Sequence, residues 1–205
     1  FGAMLVLAQN LLEPISGIAL VYPCSGNDLK TPLRLFGSSV SEFFFVDTHR
    51  RPRMPDGLEA FASRVTGSVS PGASMYSDLE TGNKYQVHLW KRRGEDAIDA
   101  IPSLGVFFHR GDTLADGEGS SGVPWLGRQW LDVILAKLVP GGLIVTDGSN
   151  SPIDGPPELR KFYWNRSIGP EAVSMASEFE FSGRRFACVG YAGERYGPTL
   201  IWQVS

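Results

Sequence analysis

Apolar and polar positions along the chain form blocks that predict short strands alternating with helices. Continuous apolar runs at residues 17–23 (GIALVYP), 42–47 (EFFFVD) and 104–110 (LGVFFHR) predict strands buried on both faces, because such strands need no polar alternation. A further strand is predicted at LIVTDG, after the longest helix. Apolar residues at helical spacing, with the proline and glycine signals that begin or end helices, predict helices at 5–12, 31–39 (Thr31 as N-cap), 55–65, 94–102, 125–139 and 156–164.

Two parts of the chain have the pattern of antiparallel strands. Residues 73–90 alternate polar and apolar side chains around ETGN, which predicts a hairpin, and two strands close the chain within 179–204. Strands that otherwise alternate with helices indicate an α/β domain with a doubly wound, mostly parallel sheet and helices on both faces. We predict one domain over residues 4–205 with an inserted hairpin near 73–90; FGAM resembles a protease-site remnant joined to Met4, which makes residues 1–3 a tag remnant.

Composition narrows the class of protein. The 205 residues are 42% hydrophobic and 20% charged, as in ordinary globular proteins. A net charge of −3 gives no overall attraction to nucleic acid, and the basic clusters HRRPR and KRR are typical of solvated surface. Two cysteines allow one disulfide at most and fit a reducing compartment, so we expect a cytoplasmic protein. No apolar run is long enough for a membrane span, and the oligomeric state stays open.

Four features together resemble the class I S-adenosylmethionine-dependent methyltransferase family. They are the strand, turn and helix at 19–36, the acid Asp47 at the end of the next strand, the long helix followed by LVPGGLIVTD, and the two closing strands. The resemblance implies a seven-stranded, mostly parallel sheet with an antiparallel C-terminal strand pair. It also implies S-adenosylmethionine as the cofactor and a small-molecule or protein acceptor.

The resemblance assigns the cofactor to the turn YPCSGND and to acids at neighbouring strand ends. The predicted cofactor-binding residues of the turn are Tyr22, Pro23, Cys24, Ser25, Gly26 and Asp28, although the single glycine departs from the family pattern. Asp47 would accept both ribose hydroxyls, Asp96 would accept from the adenine amine, and the Ala97 N–H would donate to the ring. Alternatively, the turn is a polar loop, Asp47 is a helix cap and Asp96 is a first-turn acid.

The reaction centre is expected beyond the strand that ends near His109, because ligands bind outside the carboxyl ends of parallel strands. His109 would take a proton, Arg110 would hold a carboxylate or phosphate, and Asp112 completes the predicted catalytic group. The glycine-rich residues 111–124 would form a lid. Alternatively, His109 only caps a strand and the loop is a plain connector. No metal is predicted, and Cys24 is a small buried residue rather than a nucleophile.

Two function classes stay open on the sequence. One is a methyltransferase in which cofactor and acceptor are mainly positioned. The other is a methyltransferase-like binding module that has lost or changed its cofactor, which the glycine-poor turn favours. Asp47 and the helix followed by PGG and a strand favour the methyltransferase.

Overall fold

The computed structural model of the chain describes residues 9–48, 53–56, 58–61, 73–80, 82–112, 120–160, 178–193 and 199–205. Short helices and a large sheet make up this part of the chain. The helices are α1 (Gln9–Leu12), α2 (Lys30–Phe36), α3 (Gly94–Ala100) and α4 (Arg128–Lys137). The strands are β1 (Ala19–Pro23), β2 (Glu42–Asp47), β3 (Leu58–Phe61), β4 (Ala73–Asp78), β5 (Lys84–Lys91), β6 (Leu104–His109), β7 (Leu138–Thr146), β8 (Glu178–Phe181), β9 (Arg184–Tyr191) and β10 (Leu200–Val204).

The sheet is mixed, and the prediction of a seven-stranded, mostly parallel, doubly wound sheet is wrong. The described strands form one ten-stranded sheet in the order β3-β4-β5-β2-β1-β6-β7-β10-β9-β8. Five of its nine neighbouring pairs are antiparallel, namely β3–β4, β4–β5, β7–β10, β9–β10 and β8–β9. The four parallel pairs lie in the centre, where β5, β2, β1, β6 and β7 run in one direction.

Antiparallel pairing at both flanks explains the error. Residues 58–61 lie inside a predicted helix but form β3, which pairs antiparallel with β4, so the helix at 55–65 is wrong. On the other flank, Ser182 and Gly183 have φ of 49° and 73° and connect β8 to β9. Two successive positive φ values are typical of a tight hairpin turn, so one predicted strand becomes two antiparallel strands.

Alternate residues of the central strands belong to two hydrophobic cores, one on each face of the sheet. Val21, Phe44 and Phe107 point towards α3 and α4, and their neighbours Leu20 and Phe108 point towards α2 and the 3-10 turn Glu13–Ile15. β1 and β6 are buried along their whole length, which confirms the prediction made from their continuous apolar runs. None of the described helices has the length and apolarity needed to cross a bilayer.

The beginning of α2 differs from the predicted cap. Its N-cap is Leu29, which makes no side-chain cap, and the helix begins at Lys30 rather than after Thr31. The Thr31 hydroxyl instead accepts a hydrogen bond from Arg110 at 2.9 Å. Thr31 therefore connects the helix to the end of β6.

The central strands all end at one edge of the sheet, here called the carboxyl edge and marked by Pro23, Asp47, Lys91, His109 and Thr146. From β1 the chain moves to β2 and β5 on one side, and it then returns to β6 and β7 on the other side. The loops that leave β1 and β6 therefore diverge. Such a point of reversed strand order leaves a crevice at the carboxyl ends of the strands, and this is where ligands bind in open α/β sheets.

Candidate functional site

The turn that follows β1, residues 24–28 (the β1 turn), folds back onto β2. The buried Ser25 donates its N–H to the Val46 carbonyl at 3.0 Å, and the Asp28 N–H returns to the Ser25 carbonyl at 2.9 Å. Cys24 and Gly26 have φ of 57° and 52°. Glycine takes this left-handed conformation at little cost, whereas Cys24 adopts it with a side chain attached.

A buried ion pair connects the β1 turn to the end of β6. Arg110 donates from Nε to Asp28 Oδ2 at 2.5 Å and from its Nη2 atom to Asp28 Oδ1 at 2.9 Å. The Tyr22 hydroxyl lies 3.1 Å from Asp28 Oδ2 and 3.0 Å from the Arg110 carbonyl oxygen. Burial opposes the charge of Arg110, but the hydrogen bonds and charge of Asp28 outweigh it and raise the pKa of the guanidinium.

This pairing uses groups that the sequence assigned to ligands. Arg110 was predicted to hold a substrate carboxylate or phosphate, and Asp28 and Tyr22 were predicted to contact the cofactor. All three side chains are buried and bonded to one another. Together they connect the end of β1 and the β1 turn to the end of β6.

Asp112 is the centre of a second buried network, the Asp112 cluster, which also contains His109, Ser121 and Asn150. Asp112 Oδ2 lies 3.3 Å from His109 Nε2 and accepts from Asn150 Nδ2 at 2.6 Å and from the Ser121 hydroxyl. The Ser121 N–H donates to Asp112 Oδ1 at 2.7 Å. Burial alone raises the carboxyl pKa, but the hydrogen bonds and charge of His109 and the Ser121 bonds lower the pKa of Asp112 overall. The carboxylate is therefore ionised at neutral pH.

His109 has one engaged and one unengaged ring nitrogen. The side chain is fully buried, and Nδ1 has no hydrogen-bond partner among the described residues. A carboxylate that faces Nε2 favours the tautomer with a proton on that nitrogen. In that tautomer the lone pair is on Nδ1.

The loop after β7 positions Asn150 for this cluster. Asp147 accepts from the Ser149 N–H at 3.0 Å and from the Gly111 N–H at 3.1 Å, so it joins the loops after β6 and β7. Asn150 follows with φ of 58°, and its Oδ1 is buried without a partner among the described residues. Asn150 is thus held in a left-handed conformation with its amide directed at Asp112.

The Cys24 thiol adjoins the Asp112 cluster from the β1 turn. Burial raises the pKa of this thiol far above its ordinary value; the charge of Asp112 and, to a smaller extent, that of Asp47 add to the effect, while a bond with Ser121 opposes it. The thiol therefore stays protonated at neutral pH, which argues against a nucleophilic role. Cys24 and Cys188 are both free cysteines.

Asp47, Asp96 and Ala97 lie at the carboxyl edge beside the β1 turn. Asp47 is half-buried at the tip of β2, and its carbonyl accepts from the Arg92 N–H at 3.1 Å. Asp96 is exposed in the first turn of α3, whereas the Ala97 N–H already donates to the Arg93 carbonyl at 3.3 Å. The described geometry therefore leaves Asp96 accessible and engages the predicted Ala97 donor within the helix.

α3 sits close to β1 because it begins with a glycine. A Cβ atom at Gly94 would lie 2.6 Å from the Trp125 ring and 2.9 Å from Pro23. Pro23 is buried in this contact, and it has neither a backbone N–H nor a polar side chain to donate to a ligand. The close approach brings the first turn of α3 next to the β1 turn.

The sequence did not predict Ser121, Asn150 or Asp147 as site residues. Asp147 and Asn150 follow directly after β7, so their position at a strand end was a usable signal. Ser121 has no such signal, because it is brought to Asp112 by the return of a loop. Residues 113–119 of the predicted lid lie outside the described residues.

Metal ligands do not converge in the part of the chain that the structure describes. No group of three or more His, Cys, Asp or Glu side chains in these ranges is arranged to hold a metal ion.

Comparisons with known proteins give distant structural likenesses. No family matches the chain, and no curated protein matches its sequence. A conserved hypothetical protein from Streptococcus pyogenes is similar with 11% identity and a TM-score of 0.43, over 92% of this chain and 86% of that chain. A precorrin-6y C5,15-methyltransferase from Geobacter metallireducens GS-15 is similar with 13% identity and a TM-score of 0.39, over 96% of this chain and 84% of that chain. Similarity at this level identifies no family.

Proposed function

We propose that the chain binds S-adenosylmethionine at its carboxyl edge and acts as a methyltransferase on a small-molecule or protein acceptor. One observation carries the proposal. The half-buried Asp47 at the tip of β2 lies beside the β1 turn, at the point where the strand order reverses. A carboxylate in this position can accept two hydroxyl groups of a ribose, because it offers two acceptor oxygens.

The residues at this edge fit the cofactor through a limited set of contacts. Asp47 would hold the ribose, Gly26 would allow a close approach of the backbone, and the exposed Asp96 would accept from the adenine amine. When bound, S-adenosylmethionine supplies an electrophilic methyl group on its sulfonium. Asp28 and the Ala97 N–H are left out of the proposed contacts, since both are engaged within the protein.

The Asp112 cluster is the proposed acceptor side of the site. His109 would accept a proton at Nδ1, while Asp112 holds the opposite nitrogen in its protonated form. Cys24 borders this cluster and Asn150 belongs to it, and both residues have φ near +57°. Non-glycine residues in this conformation cluster at functional sites, where the surrounding structure compensates for the strain.

A specific observation favours the second candidate function, a binding module without methyl transfer. Cys24 occupies the β1 turn with a side chain in a conformation that suits glycine, and Arg110 is committed to Asp28. The Cys24 side chain restricts the approach of a cofactor to the backbone of the β1 turn. The charge of Arg110 is already paired with Asp28 and is therefore less available to an acceptor. A module of this kind would bind a ligand at the same edge without turnover.

Calorimetric titration with S-adenosylmethionine and S-adenosylhomocysteine tests the cofactor. We expect Asp47→Ala to weaken binding by about 1.5–3 kcal/mol, the range for hydrogen bonds to charged groups. Asp99→Ala is the matched control, because Asp99 is an exposed acid on α3 at the end remote from the β1 turn.

The outcomes separate the two functions. Binding that depends on Asp47, together with methyl transfer to an added acceptor, supports the methyltransferase. Binding that depends on Asp47 without transfer to any acceptor supports the module. Equal affinity of the wild type and a folded Asp47→Ala protein removes Asp47 from the site.

A further inference from the structure

A cavity of about 430 Å³ opens along one face of the sheet, beside β1, β2 and β5. It extends from the beginnings of β1 and β2 and the end of α3 to Trp90, which pairs with Val46 of β2, and it lies on the side of the sheet that α3 covers. This volume is within the range of about 300–1,000 Å³ that is typical of small-molecule pockets. Its described lining residues are Gly17, Ile18, Ala19, Ser41, Glu42, Phe44, His88, Trp90, Ala100, Ile101, Pro102 and Ser103.

His88 is a buried wall residue of this cavity with no hydrogen-bond partner in the described part of the chain. Its side chain is 2% exposed, and both ring nitrogens lack a partner. The carboxylate Oε1 of Glu42 lies 3.8 Å from Nε2, beyond hydrogen-bond distance. Buried polar side-chain atoms are nearly always hydrogen-bonded, so an imidazole left in this state indicates an external partner.

Three aromatic rings form one wall of the cavity. The His88 ring stacks on Phe44 with centroids 4.1 Å apart and planes 8° apart. The Trp90 ring is steeply tilted against both of these rings. Its centroid lies 4.8 Å from that of Phe44 and 5.7 Å from that of His88. The guanidinium of Arg92 packs over Trp90 at 4.1 Å and holds the indole in place. Such a wall suits the face or edge of another aromatic ring.

The polar groups of the cavity favour a ligand that donates hydrogen bonds. Glu42 is the charged side chain among the described residues of the lining, and it accepts only. Burial lowers the pKa of His88 and outweighs the opposing effect of the Glu42 charge. The imidazole is therefore neutral and presents one acceptor nitrogen. A donor group near Glu42 and His88 would therefore meet acceptors on both.

Hydrogen bonds to backbone carbonyls hold the rim of the cavity. The Ser41 hydroxyl donates to the Gly17 carbonyl at 2.9 Å, and the Ser41 N–H donates to the Ile18 carbonyl at 3.1 Å. On the opposite side, Lys137 Nζ donates to the Ile101 carbonyl at 2.8 Å. The cavity is therefore preformed, which reduces the ordering cost of binding.

We propose that this cavity binds a small flat aromatic compound whose substituent donates N–H hydrogen bonds. The ring packs against Trp90 and Phe44, and the donor group reaches Glu42 and His88. The site is separate from the carboxyl edge, and it goes beyond the proposed methyl transfer. Benzamidine serves as the probe, and benzoate is its matched control because the two have the same shape and opposite hydrogen-bonding character.

Ligand-observed NMR and calorimetry with benzamidine and benzoate test the proposal. We expect benzamidine to bind and benzoate to bind at least about tenfold more weakly, which corresponds to a lost hydrogen bond to a charged group. Glu42→Gln should weaken benzamidine binding by about tenfold or more. Glu178→Gln should leave the affinity unchanged, because Glu178 is an exposed acid on β8, at the far end of the sheet.

The ¹⁵N shifts of the His88 ring provide a second measurement that requires no variant of the wall. Benzamidine should move the shift of at least one ring nitrogen, and saturating S-adenosylhomocysteine should not displace it. Absence of benzamidine binding, equal binding of benzoate, or an unchanged affinity in folded Glu42→Gln would overturn the proposal. Displacement by S-adenosylhomocysteine would also overturn it, since the probe would then occupy the carboxyl edge.

Discussion

Tyr22, Asp28 and Arg110 join the ends of β1 and β6 through buried hydrogen bonds. Arg110 and Asp28 are each about 2% exposed or less, and they meet through two nitrogen–oxygen contacts. A buried ion pair of this kind adds little net stability over an apolar pair, but removal of one partner leaves an uncompensated charge. We therefore infer that Arg110 fixes the geometry of the β1 turn.

Replacement of Arg110 tests this structural role. Arg110→Ala should lower the free energy of unfolding by about 3–5 kcal/mol, because Asp28 stays buried without its partner. Arg34→Ala is the control, since Arg34 pairs with Glu80 at 3.2 Å on the surface, and its loss should cost about 1 kcal/mol or less. Denaturant unfolding measures both. If Arg110→Ala lowers the free energy of unfolding no more than Arg34→Ala does, this structural role is contradicted.

The identity of these partners was not predictable from the sequence. Arg110 and Asp28 are 82 positions apart, and only the pairing of β1 with β6 brings them together. An arginine at a strand end has the same local pattern whether it binds a ligand or an aspartate. The same reason applies to Ser121, which reaches Asp112 through a loop.

At the scale of elements, the β1 turn depends on a left-handed residue. Gly26 has φ of 52°, where an L-residue pays a steric cost. The sequence assigned Gly26 to close contact with the cofactor, and the backbone gives it a conformational role as well. Because both roles fall on Gly26, they are separated by two substitutions that differ in how well they tolerate a positive φ.

Gly26→Val and Gly26→Asn separate the two roles. Gly26→Val should lower the free energy of unfolding by about 1–2 kcal/mol, because a β-branched residue disfavours positive φ. Gly26→Asn should cost clearly less, since asparagine tolerates this conformation. If cofactor contact also matters, both variants should weaken S-adenosylmethionine binding. Equal stability of the two variants in thermal unfolding would contradict the backbone role.

Elements with strong local signals were predictable. EFFFVD predicted β2 with its bounds, because a continuous apolar run suits a strand covered on both faces. Residues 58–61 gave a helical pattern instead, yet they form β3 beside β4. An edge strand is defined by its neighbour in the sheet, and that neighbour is not visible in local spacing.

At the scale of the whole molecule, the sheet combines a parallel centre with antiparallel flanks. The parallel centre places the ends of β1, β2, β5, β6 and β7 at one edge, so the sequence could predict which residues gather there. The flanks add antiparallel strand pairs, which the pattern of a doubly wound sheet does not include. The edge of the proposed site was therefore predictable, whereas its internal hydrogen bonds and the extent of the sheet were not.

The two proposed sites are lined by different residues of this sheet. The cofactor site is built at the carboxyl edge around Asp47, and the aromatic cavity lies where β1 and β2 begin, around His88 and Glu42. No described residue belongs to both sets. A ligand that binds one site should therefore perturb a separate set of amides.

The central claim is that the carboxyl edge holds an S-adenosyl ligand, and amide chemical shifts test it most directly. We would titrate the ¹⁵N-labelled chain with S-adenosylhomocysteine and record ¹H–¹⁵N correlation spectra. We expect the largest shifts at Gly26, Asp47 and Asp96, with smaller shifts near Asp112. Shifts confined to Ser41, Glu42 and His88, or no shifts at saturating ligand, would contradict it.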